Sequence, residues 1–107
     1  MESKAIFDAQ ISASSQLDGN HSAAQARLHF KAKEGFAGGW SALINDPNQW
    51  LQVDLGSYTR VTRVATQGRN AYNEWVAKYR LQYSDDGTTF LYYKDAGYSA
   101  EKVFLCV

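Results

Sequence analysis

The segment from residue 50 to residue 56 constrains the fold more than any other part of the chain. Its apolar side chains recur at every second position, which is the period expected for a half-buried β-strand. One face carries Leu51, Val53 and Leu55, and the other carries Trp50, Gln52 and Asp54. Gly56 follows directly and is predicted to end the strand.

A second segment with the same period covers residues 75–84 and predicts a strand with one solvent-exposed face. Asp85-Asp86-Gly87 then supplies residues suited to a positive φ, and residues 88–93 complete a predicted β-hairpin. A further strand is expected between the two segments, at residues 61–69. In a regular strand, Val61 and Val64 would lie on opposite faces, because they are separated by an odd number of positions. That strand either carries a bulge or is covered on both faces.

The rest of the chain is predicted to form short elements separated by turns. We expect a short strand within 8–15, loops at 17–22 and 31–39, a helical turn within 23–30 and a turn at 45–48. Many short strands, one proline and no sustained helical period together indicate an antiparallel β-sandwich or barrel.

Composition bounds the chain to one domain. Its 107 residues are 45% hydrophobic, enough for a packed core. Eleven basic residues balance eleven acidic ones, which argues against nucleic acid as a partner.

No apolar run approaches the ~20 residues of a membrane span, and the first four residues do not begin a signal peptide. Cys106 is the only cysteine, so we expect a free thiol and no disulfide within the chain.

Several motifs occur in one consistent order along the chain. They are Met1-Glu2-Ser3, Ile11 to Ser15, Ala26-Arg27-Leu28, Gly39-Trp40, Trp50 to Gly56, Val64 to Arg69 and Tyr83 to Gly87. Together they resemble the discoidin family, which is also called the factor V/VIII type C, galactose-binding-like domain. The resemblance extends from Met1 to about Phe104.

The resemblance implies an all-β fold, an antiparallel jelly-roll-like β-sandwich of the discoidin type, in proteins that are secreted or lie at the cell surface. It implies binding of membranes, glycans or proteins through three protruding loops, here a first loop at 17–22, a second loop at 42–45 and a third loop at 70–74. The family continues through further strands to a closing cysteine. We therefore expect residues 1–107 to be a single partial domain that is missing its C-terminal strands, and we expect it to fold poorly or to associate.

For coagulation-factor-like members, the resemblance implies apolar loop tips that enter the bilayer and basic side chains that meet anionic headgroups. The candidate loop residues are Leu17, Asp18, Asn20, His21, Leu43, Ile44, Asn70, Tyr72, Asn73 and Glu74. The candidate supporting basic residues are Arg27, Lys31, Lys33, Arg69 and Lys78. Alternatively, Leu43 and Ile44 pack against the sandwich and the charges are a solvated surface. The polar members of the loops favour a glycan or protein ligand.

Asn20-His21-Ser22 is a sequon for N-glycosylation in the first loop. A glycan on Asn20 would oppose insertion of that loop into lipid, because it is bulky and polar.

The tryptophans and acidic residues have structural alternatives to ligand binding. Trp40 and Trp50 are expected in the core, where large aromatic side chains dominate. Trp75 borders a loop, and the sequence does not assign it to either role. The acidic residues at the predicted turns, Asp46, Asp85 and Asp86, are assigned to those turns, since no EF-hand calcium spacing is present.

Catalytic motifs are missing from the sequence: it has no Gly-x-Ser-x-Gly, no His-Glu-x-x-His, no cysteine cluster and no phosphate-binding glycine loop. Ser14, Ser15, Asp18 and His21 are near one another, but nothing orients them as a triad. We predict no cofactor, no bound metal and no enzymatic activity. The predicted function is an extracellular ligand-binding or cell-adhesion module that recognises cell-surface glycans, proteins or anionic phospholipid through its protruding loops. Alternatives are a phosphatidylserine-specific membrane-binding domain, a carbohydrate-targeting appendage of a hydrolase, and a truncated product without function.

Overall fold

The computed structural model describes residues 5–69, 74–94 and 102–105. Its strands are β1 (Ile11–Ala13), β2 (Leu51–Val53), β3 (Lys78–Arg80), β4 (Gln82–Tyr83), β5 (Leu91–Tyr92) and β6 (Val103–Leu105). Short 3-10 helices cover Asp8–Gln10, Gly19–His21 and Ala23–Ala26. The chain divides into two compact units, Met1–Glu74 and Trp75–Val107.

The first unit is built on the antiparallel pair of β1 and β2. Ile11 lies opposite Val53, and Ala13 lies opposite Leu51. Backbone hydrogen bonds extend the pair beyond both strand ends, from Asp54 N to Gln10 O at 2.7 Å and from Ser14 N to Trp50 O at 2.9 Å. The predicted strands at both places are therefore confirmed.

Gly56 ends the extended segment after β2, as predicted. Its φ of +79° lies in the left-handed region, which a glycine adopts without steric cost. The carboxylate of Asp54 accepts a hydrogen bond from the Gly56 N–H at 2.8 Å and closes the turn.

The interior of the first unit combines apolar and polar side chains. Ile11 and Ala23 are buried beside Gln25 and Arg27. The guanidinium of Arg27 donates to Asp8 Oδ1 at 2.6 Å and to the carbonyl of Ile6 at 2.6 Å. A buried charge is tolerated where such partners replace its water.

Two predictions about the first unit are wrong. Trp50 was expected in the core, but it is 50% exposed. A strand was expected at residues 61–69, but that described stretch contains none, and residues 61–68 are exposed. Side-chain hydrogen bonds tether this segment instead: Gln67 Oε1 accepts from His29 N at 2.7 Å, and Arg69 Nε donates to Ala37 O at 2.8 Å.

The second unit contains two antiparallel pairs, β3 with β6 and β4 with β5. The single strand predicted over residues 75–84 is interrupted, because Leu81 separates β3 from β4. Trp75 is exposed.

The predicted hairpin joins β4 to β5 and is confirmed, with Gln82 opposite Tyr92. At its turn, Asp86 Oδ1 accepts hydrogen bonds from the backbone of Thr88 at 2.8 Å and of Thr89 at 2.9 Å. Gly87 supplies the positive φ of +75° that the turn needs. Since each described strand pair is antiparallel and the helices are single turns, the fold class is all-β, as predicted.

Candidate binding loops

The first loop is ordered by one carboxylate. Asp18 begins the 3-10 helix Gly19–His21, and its side chain accepts a hydrogen bond from Asn20 N at 2.9 Å. Nδ1 of His21 lies 2.6 Å from Asp18 Oδ1. The hydrogen bond from His21 lowers the pKa of Asp18 below its ordinary value, with a smaller contribution from the Asn20 amide. The first loop thus presents an ionised, partly exposed carboxylate beside an imidazole.

The first and second loops are joined by hydrogen bonds at their bases. Leu17 N donates to Ser41 O at 2.8 Å, and Ser41 N donates to His21 O at 3.4 Å. Ser15 adds two links: its carbonyl accepts from Trp40 Nε1 at 2.8 Å, and its hydroxyl accepts from Leu43 N at 3.0 Å. Residues far apart in sequence therefore form one continuous surface. Trp40, which is expected in the core, is only half-buried there.

Three aliphatic side chains of this surface face solvent. Leu17 is 47% exposed, and Leu43 and Ile44 are each 57% exposed. The alternative in which Leu43 and Ile44 pack against the sandwich does not hold in the structure.

Asp46 supports the end of the second loop, where it accepts hydrogen bonds from Asn48 N at 2.9 Å and from Gln49 Nε2 at 3.0 Å. Its predicted role in a turn is confirmed.

The third loop is held at its base by Arg69. The backbone N–H of Arg69 donates to Glu74 O at 2.9 Å, and its guanidinium pairs with the Glu74 carboxylate at 2.5 Å. Arg69 Nε reaches Ala37 O at 2.8 Å, so the third loop starts beside the segment that leads into the second. The predicted tip residues Asn70, Tyr72 and Asn73 lie outside the described residues.

The predicted basic residues differ in their availability to a ligand. Arg27 is only 6% exposed and binds Asp8 and the Ile6 carbonyl, so it is a structural residue and supplies no charge to the surface. Arg69 is committed to the base of the third loop. Lys31 and Lys33 are exposed in the first unit, while Lys78 is exposed in the second.

An exposed aromatic turn next to the first loop was not identified from the sequence. Lys33 and Phe36 are joined by backbone hydrogen bonds in both directions, and the Lys33 ammonium lies 5.0 Å from the centre of the Phe36 ring. The residue after Phe36, Ala37, donates its N–H to Asn20 O at 2.8 Å. The available signal was the i, i+3 spacing of a lysine and a phenylalanine around Gly35 in a glycine-rich stretch.

The serines near the first loop hold the backbone and do not bond to His21. Ser14 and Ser15 both donate their hydroxyl hydrogens to Gln49 Oε1, at 2.9 Å and 2.7 Å. Within residues 5–69, 74–94 and 102–105, no three His, Cys, Asp or Glu side chains are grouped closely enough to hold a metal ion. Over the same residues, no helix has the length and apolar character to span a membrane.

Comparison with known proteins gives the same family that the motifs suggest. The family model described as the F5/8 type C domain matches residues 10–104. The chain is also similar to lactadherin of Bos taurus, with 45% identity over 73 residues, which are 66% of this chain and 17% of lactadherin. The chain therefore matches less than a fifth of the length of that relative. The F5/8 type C domain is a β-sandwich, in agreement with the antiparallel strand pairs described above. The chain belongs to the F5/8 type C, or discoidin, family of ligand-binding modules.

Proposed function

We propose that this chain is an extracellular module that attaches to anionic phospholipid surfaces through its first and second loops. One observation supports the proposal: the hydrogen bond from Leu17 N to Ser41 O joins the loop of the exposed Leu17 to the loop of the exposed Leu43 and Ile44. Exposed aliphatic side chains clustered on loops are unusual for a solvated surface and are typical of an interaction site.

The apolar contribution to binding is modest. Full burial of one leucine or isoleucine side chain stabilises by ~1.5–3 kcal/mol, and about half of each of these side chains is already covered. Insertion of the three side chains is therefore expected to contribute about 3 kcal/mol in total. Such anchoring is weak without an additional electrostatic attraction.

Lys31 and Lys33 are suited to supply that attraction. A basic side chain near an anionic leaflet contributes ~1 kcal/mol. The Lys33 ammonium already lies over the Phe36 ring, and Phe36 is exposed beside the first loop. A lysine above an aromatic ring suits the boundary between acyl chains and headgroups. There the ring and the apolar stem of the lysine can be buried while the ammonium remains in water.

A second candidate function is recognition of a glycan or a protein by the first loop. The exposed carboxylate of Asp18 and the imidazole of His21, 2.6 Å apart, favour it. The carboxylate accepts hydrogen bonds from sugar hydroxyls or peptide N–H groups, whereas its charge resists entry into lipid.

Co-sedimentation with vesicles tests the proposal. The chain should bind vesicles that contain phosphatidylserine and bind vesicles of phosphatidylcholine alone more weakly. The double variant Lys31→Gln/Lys33→Gln should lose much of this difference, while Lys94→Gln, a change of an exposed lysine in the second unit, should keep it. Equal binding to both vesicle types would contradict the phospholipid proposal, and retention on a glycan array would then support the second candidate.

A further inference from the structure

We propose that Asn20 is an N-glycosylation site and that its glycan keeps the first loop out of lipid, so that the modification decides between lipid and other ligands. The second half of this inference rests on the proposed function. Asn20-His21-Ser22 is the only sequon in the chain, although asparagine also occurs at positions 45, 48, 70 and 73.

The backbone of Asn20 is fixed while its side chain is open to solvent. Its N–H donates to Asp18 Oδ1 at 2.9 Å, and its carbonyl accepts from Ala37 N at 2.8 Å. Asn20 is exposed, and within the described part of the chain its side-chain amide makes no hydrogen bond. The amide nitrogen is therefore available to a modifying enzyme without breaking a contact of the fold.

The position next to Asn20 is also exposed. A Cβ built on the neighbouring Gly19 meets no atom within 4 Å. The third sequon residue, Ser22, makes no side-chain capping bond at the start of Ala23–Ala26, so its hydroxyl is not engaged there.

The reaction is the transfer of an oligosaccharide from a dolichyl diphosphate donor. A bond forms between the Asn20 side-chain nitrogen and C1 of the first sugar, and the bond between C1 and the diphosphate oxygen breaks. The amide nitrogen loses one proton, and dolichyl diphosphate leaves. No oxidation or reduction takes place.

The position of Asn20 gives the glycan its effect. Leu17 lies three residues earlier in the same loop, and its N–H is bonded to Ser41 at the base of the second loop. A bulky, strongly hydrated group on Asn20 cannot enter the acyl region, so it holds Leu17 away from the bilayer. Contacts with soluble or cell-surface ligands in water are compatible with the same glycan.

The first measurement is the mass of the chain secreted from glycosylating eukaryotic cells, before and after treatment with peptide N-glycosidase. We expect an added mass that the enzyme removes, that Ser22→Thr keeps, and that both Ser22→Ala and Asn20→Gln abolish. An unmodified chain from these cells would overturn the assignment of Asn20.

The second measurement is binding of the glycosylated chain and of Ser22→Ala to phosphatidylserine vesicles. We expect the glycosylated chain to bind at least about five-fold more weakly, which is the loss of roughly one inserted side chain. Equal binding would overturn the effect on lipid. If neither form binds, the proposed lipid function and the effect of the glycan both fail, while the mass measurement still decides whether Asn20 is modified.

Discussion

The backbone N–H of Leu17 donates a hydrogen bond to the carbonyl oxygen of Ser41 at 2.8 Å, across 24 residues of sequence. This bond and those of Ser15 make one surface of the first and second loops. Because the two loops are tied at their bases, the position of one side chain at a tip depends on hydrogen bonds made several residues away.

Ser15→Ala should loosen the second loop without removing any side chain of the proposed contact surface. The Ser15 hydroxyl accepts from Leu43 N at 3.0 Å and donates to Gln49 Oε1 at 2.7 Å. Loss of a hydrogen bond of this kind costs ~1 kcal/mol. We expect faster hydrogen exchange at the Leu43 amide and vesicle binding weakened about three- to five-fold. Ser12→Ala is the matched control, since Ser12 is exposed on β1; equal effects of the two substitutions would contradict the positioning role of Ser15.

Gly87→Ala should destabilise the hairpin through backbone conformation alone. Gly87 has φ +75°, and a Cβ added there meets nothing within 4 Å, so no steric clash contributes. The left-handed conformation costs an alanine ~1–2 kcal/mol. Gly19→Ala also adds a Cβ into open space, but without a positive φ, and should change the free energy of unfolding by less than about 0.5 kcal/mol. Denaturant unfolding of both variants checks this prediction, and similar values for the two would contradict it.

Asp86 should titrate far below an ordinary aspartate. Backbone hydrogen bonds from Thr89 and Thr88, with one from the Ser84 hydroxyl, lower the pKa of Asp86 from 3.8 to about 2. Since the folded pKa is the lower one, the stability that Asp86 contributes is complete above pH 3.8 and is lost as the pH falls toward 2. An NMR titration of the Asp86 carboxyl carbon measures the midpoint, and a value near 3.8 would show that the turn does not hold the carboxylate as described.

Asp8→Ala should destabilise the first unit, because Asp8 is a partner of the buried Arg27 guanidinium. Solvent reaches the Asp8 side chain, so the cost is smaller than for a fully buried pair, and we expect a loss of about 2 kcal/mol. Thermal unfolding measures it. Asp85→Ala, at an exposed turn position of the second unit, should shift the free energy of unfolding by less than about 0.5 kcal/mol. Equal shifts in the two variants would mean that the Asp8 pair stabilises little.

Local patterns predicted the elements whose signals are local. Alternation located β2, Gly56 marked the end of the extended segment that follows it, and Asp85-Asp86-Gly87 located the hairpin turn. Strand period and turn conformation depend on neighbouring residues, so both can be read locally. The family resemblance suggested three binding loops, but the sequence did not reveal that Leu17 bonds to Ser41.

The predictions that were wrong depended on distant partners. Trp50 lies on a correctly predicted strand, but the elements that cover each face are remote in sequence, so alternation alone did not settle its burial. Arg27 was counted as surface charge, since its partner Asp8 lies 19 residues away and no periodicity links them. Phe36 was missed because a glycine-rich loop gives no period that distinguishes an exposed ring from a buried one.

The most direct test of the account compares two pairs of aliphatic side chains in phosphatidylserine vesicle binding. Leu43→Ser/Ile44→Ser removes two loop residues that are each 57% exposed, and Val61→Ser/Val64→Ser removes two residues of the same unit that are 59% and 49% exposed. We expect the loop variant to lose about 2 kcal/mol of binding free energy, roughly 30-fold in affinity, and the affinity of the valine variant to change less than two-fold. Equal losses would mean that general surface hydrophobicity drives binding, and would contradict recognition by the loops.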